Sequence, residues 1–254
     1  MGKGIGYFMS KNGAGAIYYT DFRAEPFILQ TCRDQINRSF DGEIICVSLN
    51  KPLDFGTKNL VLKEERSYET MCKQILMGLK ALSTNYVFFL ENDVLYHKSH
   101  FDFSPLRDDV YYYNINNYRW LYYQNFLITY ENLTSLSMLC CNRELATKHY
   151  QYRLDHIDKF MQFEVKSKEP KWARRLGYEP GTKPRRRGGL TDEEHVKVRS
   201  ELPNIDIRHK RTFSAPKVTI ESFRCPPPDF TQITIDEVPG WDLREMFNLP
   251  RTEK

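Results

Sequence analysis

The sequence predicts an α/β fold in which a mostly parallel sheet is flanked by helices and is followed by antiparallel strands. Three observations carry this. Short apolar runs of strand length alternate with amphipathic helical patterns through roughly the first hundred residues. Those runs are apolar without polar alternation, as in strands buried on both faces. Beyond them the pattern changes to aromatic-rich segments that follow one another without intervening helices.

In chain order, Ala16-Ile-Tyr-Tyr-Thr20 reads as a strand that stops at Asp21. A helix follows, with Phe27, Ile28, Cys32 and Ile36 at three- and four-residue spacing on one face. Glu43-Ile-Ile-Cys-Val-Ser48 is a second strand, closed by the turn signal Asn50-Lys-Pro52, and Asn59-Leu-Val-Leu62 is a third. Ser67 caps a helix whose stripe is Met71, Ile75, Leu76, Leu79 and Leu82, and Ser83-Thr-Asn85 leads into the strand at residues 86–90. In such β-α-β-β-α-β halves ligands sit at the carboxyl ends of the strands, where Asp21, Asn50 and Glu91-Asn92-Asp93 fall.

The second half predicts antiparallel strands at residues 110–114, 120–124, 126–130 and 136–141, then a helix over about 142–165. Residues 166–189 read as a long basic loop with Gly and Pro, and Asn204-Ile-Asp-Ile-Arg-His209 as a short strand. A short helix is expected near Trp241 to Phe247. The expected organisation is one domain over residues 1–254, with one half at about 16–100, a second at about 101–211 and a tail at 212–254.

The formal net charge is +4, but Lys166, Lys168, Lys171, Arg174, Arg175, Lys183, Arg185, Arg186 and Arg187 concentrate cations in one stretch, which favours an anionic partner. Six cysteines without C-x-x-C spacing, mostly in apolar runs, predict buried thiols rather than disulfides or a zinc knuckle. Met1-Gly-Lys-Gly-Ile-Gly6 lacks a signal-peptide core and no run has the length of a membrane span, so a cytoplasmic protein is expected.

Glu91-Asn92-Asp93 ends a buried strand. A carboxylate there needs an offset for its lost hydration, which either Mg²⁺ or Mn²⁺ bridging phosphate oxygens or a turn capped by Asp93 supplies. Asp206-Ile-Arg208-His209 with Lys210 and Arg211 places an imidazole and several cations after a late strand. His209 can complete a metal shell there, with Arg208, Lys210 or Arg211 facing a diphosphate. The glycines before the first strand do not form a phosphate cradle, since such turns follow a strand and open a helix. His97-Lys-Ser-His100 has helical metal spacing but no nearby third ligand, and no G-x-S-x-G nucleophile elbow is present.

The order strand–Asp21, helix, two strands, Arg66-Ser67 at a helix start, Lys73 within it, Val-Phe-Phe-Leu-Glu-Asn-Asp-Val-Leu-Tyr and a late His209 resembles the GT-A glycosyltransferases. Leu90-Glu91-Asn92-Asp93-Val94-Leu95-Tyr96 is similar to the E-x-D-V-L-Y form of small phage and bacterial members. The resemblance spans about residues 16–211 and implies a Rossmann-like nucleotide half fused to an acceptor half. It implies Asp93 as principal metal ligand and His209 as second, with Mn²⁺ or Mg²⁺ as the ion. Thr20, Asp21, Arg66 and Ser67 would frame base and ribose, Lys73 would reach the same pocket, and Asn92 would lie beside the ribose or diphosphate. Glu91 stands where many members have Asp, leaving open whether it touches metal, sugar or neither.

The implied activity is transfer of a sugar from a nucleoside-diphosphate sugar, with a UDP-sugar the expected donor, to an acceptor hydroxyl. An inverting reaction needs a carboxylate base. Glu179, in Gly177-Tyr-Glu-Pro-Gly181, is the first choice, and Asp206, Asp155, Asp158 and Glu164 are others. Trp172 and Tyr178 among the basic residues suit phosphate contacts with base stacking. The small phage-type members that the chain resembles include enzymes that add sugars to hydroxymethylated pyrimidines in DNA, so the resemblance implies such a base as the expected acceptor, as for a bacteriophage DNA-modification enzyme. A cell-surface glycan or lipid-linked sugar is the rival acceptor. A nucleotidyltransferase and a non-catalytic nucleic-acid-binding protein are the rival functions.

Overall fold

The computed structural model describes residues 13–122, 124–130, 133–160, 179–182, 194–212, 219–223 and 225–250. Strands β1 (Ala14–Thr20), β2 (Ile44–Leu49), β3 (Lys58–Leu62) and β4 (Tyr86–Glu91) lie parallel in the order β4-β1-β2-β3, with helices α1 (Pro26–Ser39) and α2 (Tyr68–Ala81) between them. This half matches the sequence reading. β2 is buried along its whole length and β1 along all but its first residue, as apolar strands covered on both faces must be.

Alternate residues of β1, β2 and β4 serve different layers. Ile17, Ile45, Val47, Val87 and Phe89 pack with Ile75 and Leu79 of α2 and with Tyr150 and Ile157 of α3 (Arg143–Phe160). Ala16, Cys46, Phe88 and Leu90 pack on the other face with Ile36 of α1. Each fully buried large side chain in these layers contributes about 1.5–3 kcal/mol. Helix α2 lies so close to β1 that a Cβ on Gly78 would meet Ile17 Cγ2 at 3.0 Å, which explains a glycine inside an otherwise strong helix. Its start is capped as expected, Ser67 accepting from the Thr70 N–H at 3.0 Å.

The remaining strands correct the sequence reading in their arrangement. The first sheet continues beyond β4 with β9 (Leu139–Asn142), antiparallel to β4, then β6 (Val110–Asn114) and β10 (Glu194–Val198), giving seven strands. Residues 136–141 are thus not one strand, because Leu136–Met138 form a 3-10 turn before β9 begins. A second sheet has the order β12-β8-β7-β11-β5, formed by β5 (Val94–Leu95), β7 (Asn117–Leu121), β8 (Phe126–Thr129), β11 (Asn204–Arg208) and β12 (Thr231–Thr234). Its core joins Trp120, Leu127, Ile205 and Ile207 to Ile28, Leu29 and Cys32 of α1 and to Leu243 and Phe247 of α4 (Leu243–Phe247). Helix α1 therefore contributes to the cores of both sheets. All six cysteines are free thiols, and only Cys225 is exposed. No helix among the described residues is long and apolar enough to cross a membrane.

Candidate functional site

A cleft of about 460 Å³ opens at the carboxyl ends of β1 and β4, bounded by the start of α2 and by β7 and β11. Its position follows from the topology, since loops leaving the ends of parallel strands diverge and leave a crevice. After Thr20 the chain turns through Phe22 with φ 59°, and the Phe22 N–H donates to Thr20 Oγ1 at 3.1 Å. A bulky residue in the left-handed region is an uncommon conformation, held here at the cleft edge beside Asp21. Asp21 meets Arg66 in an ion pair, which brings the end of β1 to the start of α2.

The turn between β4 and β5 carries the acidic segment. The Asn92 amide donates to Thr20 Oγ1 at 2.7 Å, and the Tyr19 hydroxyl donates to Glu91 Oε1 at 2.7 Å. The Tyr96 hydroxyl accepts from the Glu91 N–H at 2.9 Å. β11 docks against this turn through the Ile207 N–H, which donates to the Asp93 carbonyl at 2.8 Å. That bond delivers His209, whose Nε2 stands 3.4 Å from Asp93 Oδ2.

The electrostatics of the cleft floor are those of crowded carboxylates. Burial, the charge of Asp93 and that of Asp206 push the Glu91 carboxyl up to about 8, while the Tyr19 hydrogen bond opposes the rise. Burial is also the main cause holding Asp93 above the usual carboxylate range, against the lowering contact with His209. Two arginines offset part of this charge. Arg208 Nη1 lies 3.2 and 3.3 Å from the Asp206 oxygens, and Arg119 Nε lies 3.5 Å from Asp206 Oδ2.

Of the residues singled out in the sequence, Thr20, Asp21, Arg66, Ser67, Glu91, Asn92, Asp93, Glu179, Asp206, Arg208 and His209 line this one cleft. Asn50, Lys73 and Lys210 do not, the Asn50 amide donating instead to the Glu64 carbonyl at 2.9 Å. Lys73 sits one step around α2 from the cleft-lining Gln74, and its ammonium is held by Glu64 at 3.1 Å and Glu69 at 2.7 Å. Lys210 is exposed, and Arg211 lines the cleft in its stead. Asp206 is placed as a clamp between guanidinium groups rather than as an open base. Glu179 begins a tight turn closed by the Thr182 N–H donating to the Glu179 carbonyl at 3.1 Å. Asp155 is on the exposed side of α3, accepting from Gln151 at 2.9 Å. The side chain of Asp158, together with Glu164, Trp172, Tyr178 and the basic residues from Lys166 to Arg187, lies outside the described residues.

His97 and His100 do not assemble a zinc site: His97 caps a 3-10 turn, and buried His100 takes a hydrogen bond from Asn114 at 2.9 Å, burial holding it down to about 3. Sequence reasoning missed Gln74 and Arg119. Gln74 Nε2 donates to the carbonyls of Thr20 at 3.1 Å and Val47 at 3.0 Å, bracing the ends of β1 and β2. A polar residue between Met71 and Ile75 in an apolar helical stripe, and a lone Arg in the Tyr118-Arg119-Trp120 strand, were the available signals.

No protein-family model and no curated protein matches the chain. Among solved structures it is similar to the glycosyltransferase GlyE of Streptococcus pneumoniae TIGR4, with 10% identity over 74% of this chain and 45% of that one, at a TM-score of 0.44. The apo-form of GlyE aligns at 12% identity over 61% of this chain and 41% of that one, with a TM-score of 0.36. A glycosyltransferase involved in glycosylation of the major capsid of PBCV-1 aligns at 9% identity over 74% of this chain and 82% of that one, with a TM-score of 0.38. The chain spans less than half the length of GlyE. What the cleft can do is decided by its own residues.

Proposed function

We propose that this chain is a metal-dependent glycosyltransferase that moves a sugar from a nucleoside-diphosphate sugar to an acceptor hydroxyl. The observation that carries the reading is the pairing of Asp93 and His209 at 3.4 Å in a cleft whose other wall holds Arg66 and Asp21. The donor set fits a hard divalent cation such as Mn²⁺ or Mg²⁺. One carboxylate and one imidazole face each other, and the surrounding carboxylates disfavour one another's charge until a cation arrives. Among the described residues no group of three or more His, Cys, Asp or Glu side chains is placed to hold a metal, so Asp93 and His209 would hold an ion together with the bound diphosphate rather than by themselves. Asp93 and His209 would hold the ion, which when bound neutralises charge on the departing diphosphate.

The chain's own groups divide the rest of the work. Arg208 and Arg119, clamped by Asp206, face the cleft where leaving-group charge grows, and cations fixed in advance stabilise that charge more in the transition state than in the substrate. Asp21, Arg66, Ser67, Thr20 and Asn92 form the wall suited to base and ribose, with a UDP-sugar as the donor we favour. Glu179 on the cleft lip is the carboxylate left to take the proton of an acceptor hydroxyl if configuration inverts. The hydroxymethylated-pyrimidine acceptor is supported by the resemblance to small phage-type members and by the basic sequence from Lys166 to Arg187 with its Trp172 and Tyr178.

The test is a thermal-shift panel of nucleotides and sugar nucleotides with and without Mn²⁺, followed by product analysis. UDP or a UDP-sugar should raise the melting temperature more with Mn²⁺ than without it, and turnover should release nucleoside diphosphate. Release of pyrophosphate would make the protein a nucleotidyltransferase, and silence toward every nucleotide would refute both.

A further inference from the structure

On the ring edge of His209 opposite Asp93 stands a carboxylate to which the proposed reaction assigns no task. Glu25 Oε2 lies 3.6 Å from His209 Nδ1. Glu25 is the N-cap residue of α1, with Pro26 behind it and its carbonyl accepting from the Leu29 N–H at 3.1 Å. Its side chain makes no capping bond to the helix. It does not line the cleft, and the buried neighbours Ala24 and Ile28 anchor the segment that carries it. His209 is equally fixed, its N–H donating to Thr212 Oγ1 at 2.9 Å and its carbonyl accepting from the Thr212 N–H at 3.1 Å.

The Arg211 N–H donates to His209 Nδ1 at 3.2 Å, so in this arrangement Nδ1 offers its lone pair there and a neutral ring carries its proton on Nε2, facing Asp93. An ion shared by Asp93 and His209 needs the opposite tautomer, because the Nε2 lone pair must be free to bind it. The proton must then stand on Nδ1, where it needs an acceptor in place of the Arg211 donor. Glu25 Oε2 is positioned to be that acceptor after a small ring rotation.

We propose that Glu25 is a positioning residue that selects the metal-binding tautomer of His209, the outer carboxylate of a Glu25–His209–metal relay. This rests on the metal reading of Asp93 and His209. Removing such an outer partner ordinarily weakens metal binding by about 10–100-fold.

The experiment is Mn²⁺ binding to the full chain, followed by electron paramagnetic resonance with saturating UDP, for wild type, Glu25→Met, His209→Ala and the double variant. Glu25→Met should weaken Mn²⁺ binding by about 10–100-fold with an unchanged melting temperature. In the His209→Ala background it should cost nothing further, since the two residues act as one unit. Wild-type affinity in Glu25→Met, or the same added loss with and without His209, would overturn the proposal. Mn²⁺ affinity untouched by both His209→Ala and Asp93→Asn would instead overturn the metal reading itself. A measurement that needs no variant is ¹⁵N NMR of the histidine rings: adding Mg²⁺ and UDP should move the His209 proton from Nε2 to Nδ1, and a ring that keeps it on Nε2 refutes the relay.

Discussion

Replacing Gln74 with methionine would remove the brace between β1 and β2 while nearly preserving side-chain length and volume. The Gln74 amide is buried at 4% exposure and donates to the carbonyls of Thr20 and Val47. Each such hydrogen bond contributes about 0.5–1.5 kcal/mol net, so losing both costs about 1–3 kcal/mol. Methionine fills the space, so no cavity term adds to this. For a chain of this size about 2 kcal/mol corresponds to a drop of about 4–8 °C in melting temperature. Because Thr20 ends β1 beside Asp21 and receives the Asn92 amide, the loosened strand end should also weaken nucleotide binding. Urea unfolding followed by circular dichroism, with UDP affinity by calorimetry, would measure both effects. A Gln74→Met protein as stable as wild type and binding UDP equally well would show that the brace does not set the geometry of the cleft.

Three further outcomes are expected. Asp93→Asn should lower Mn²⁺-dependent turnover of the sugar nucleotide by at least about 100-fold, a loss of about 3 kcal/mol of transition-state stabilisation, in an assay of nucleoside diphosphate release. Glu91, held near 8 in the folded chain against 4.5 without its surroundings, takes up a proton on folding, so the metal-free protein should lose stability as pH rises from about 4.5 toward about 8. Glu91→Gln should flatten that slope in unfolding titrations across the window. Lys73→Met should leave UDP affinity within about twofold of wild type while Arg66→Met weakens it several-fold, because the Lys73 ammonium is committed to Glu64 and Glu69 outside the cleft.

The first half of the fold was legible because burial on both faces leaves a one-dimensional trace. The runs around Tyr18, Val47 and Phe89 are uninterrupted, and the stripe of α2 repeats at three and four residues. Strands β5, β10 and β12 left no such trace. β5 is only Val94–Leu95, and β10 carries Glu194, His195 and Lys197 in a strand that pairs in parallel with distant β6. In the cleft, Asp21, Asp93 and His209 were readable because each ends a strand. Gln74 was not, since in sequence it looks like a flaw in an apolar stripe, and its purpose depends on carbonyls of two other strands. Lys73 misled for the related reason that one residue along a helix is about 100° around it, enough to turn a side chain from the cleft to Glu64 and Glu69.

The seating of β11 between β7 and β5 also sets an order of events during synthesis. β1, β2, β3 and β4 with their helices are complete before residue 100 and pair with one another, so this layer can form while the rest of the chain is still being made. Asp93 then waits for a strand that emerges more than a hundred residues later, and the Ile207 N–H docking on the Asp93 carbonyl is the event that brings His209 to it. A nascent or truncated chain ending before Asn204 would hold this folded layer and Asp93 without the strand that brings His209 beside it, so the paired site of the proposed function would not exist until β11 has been made.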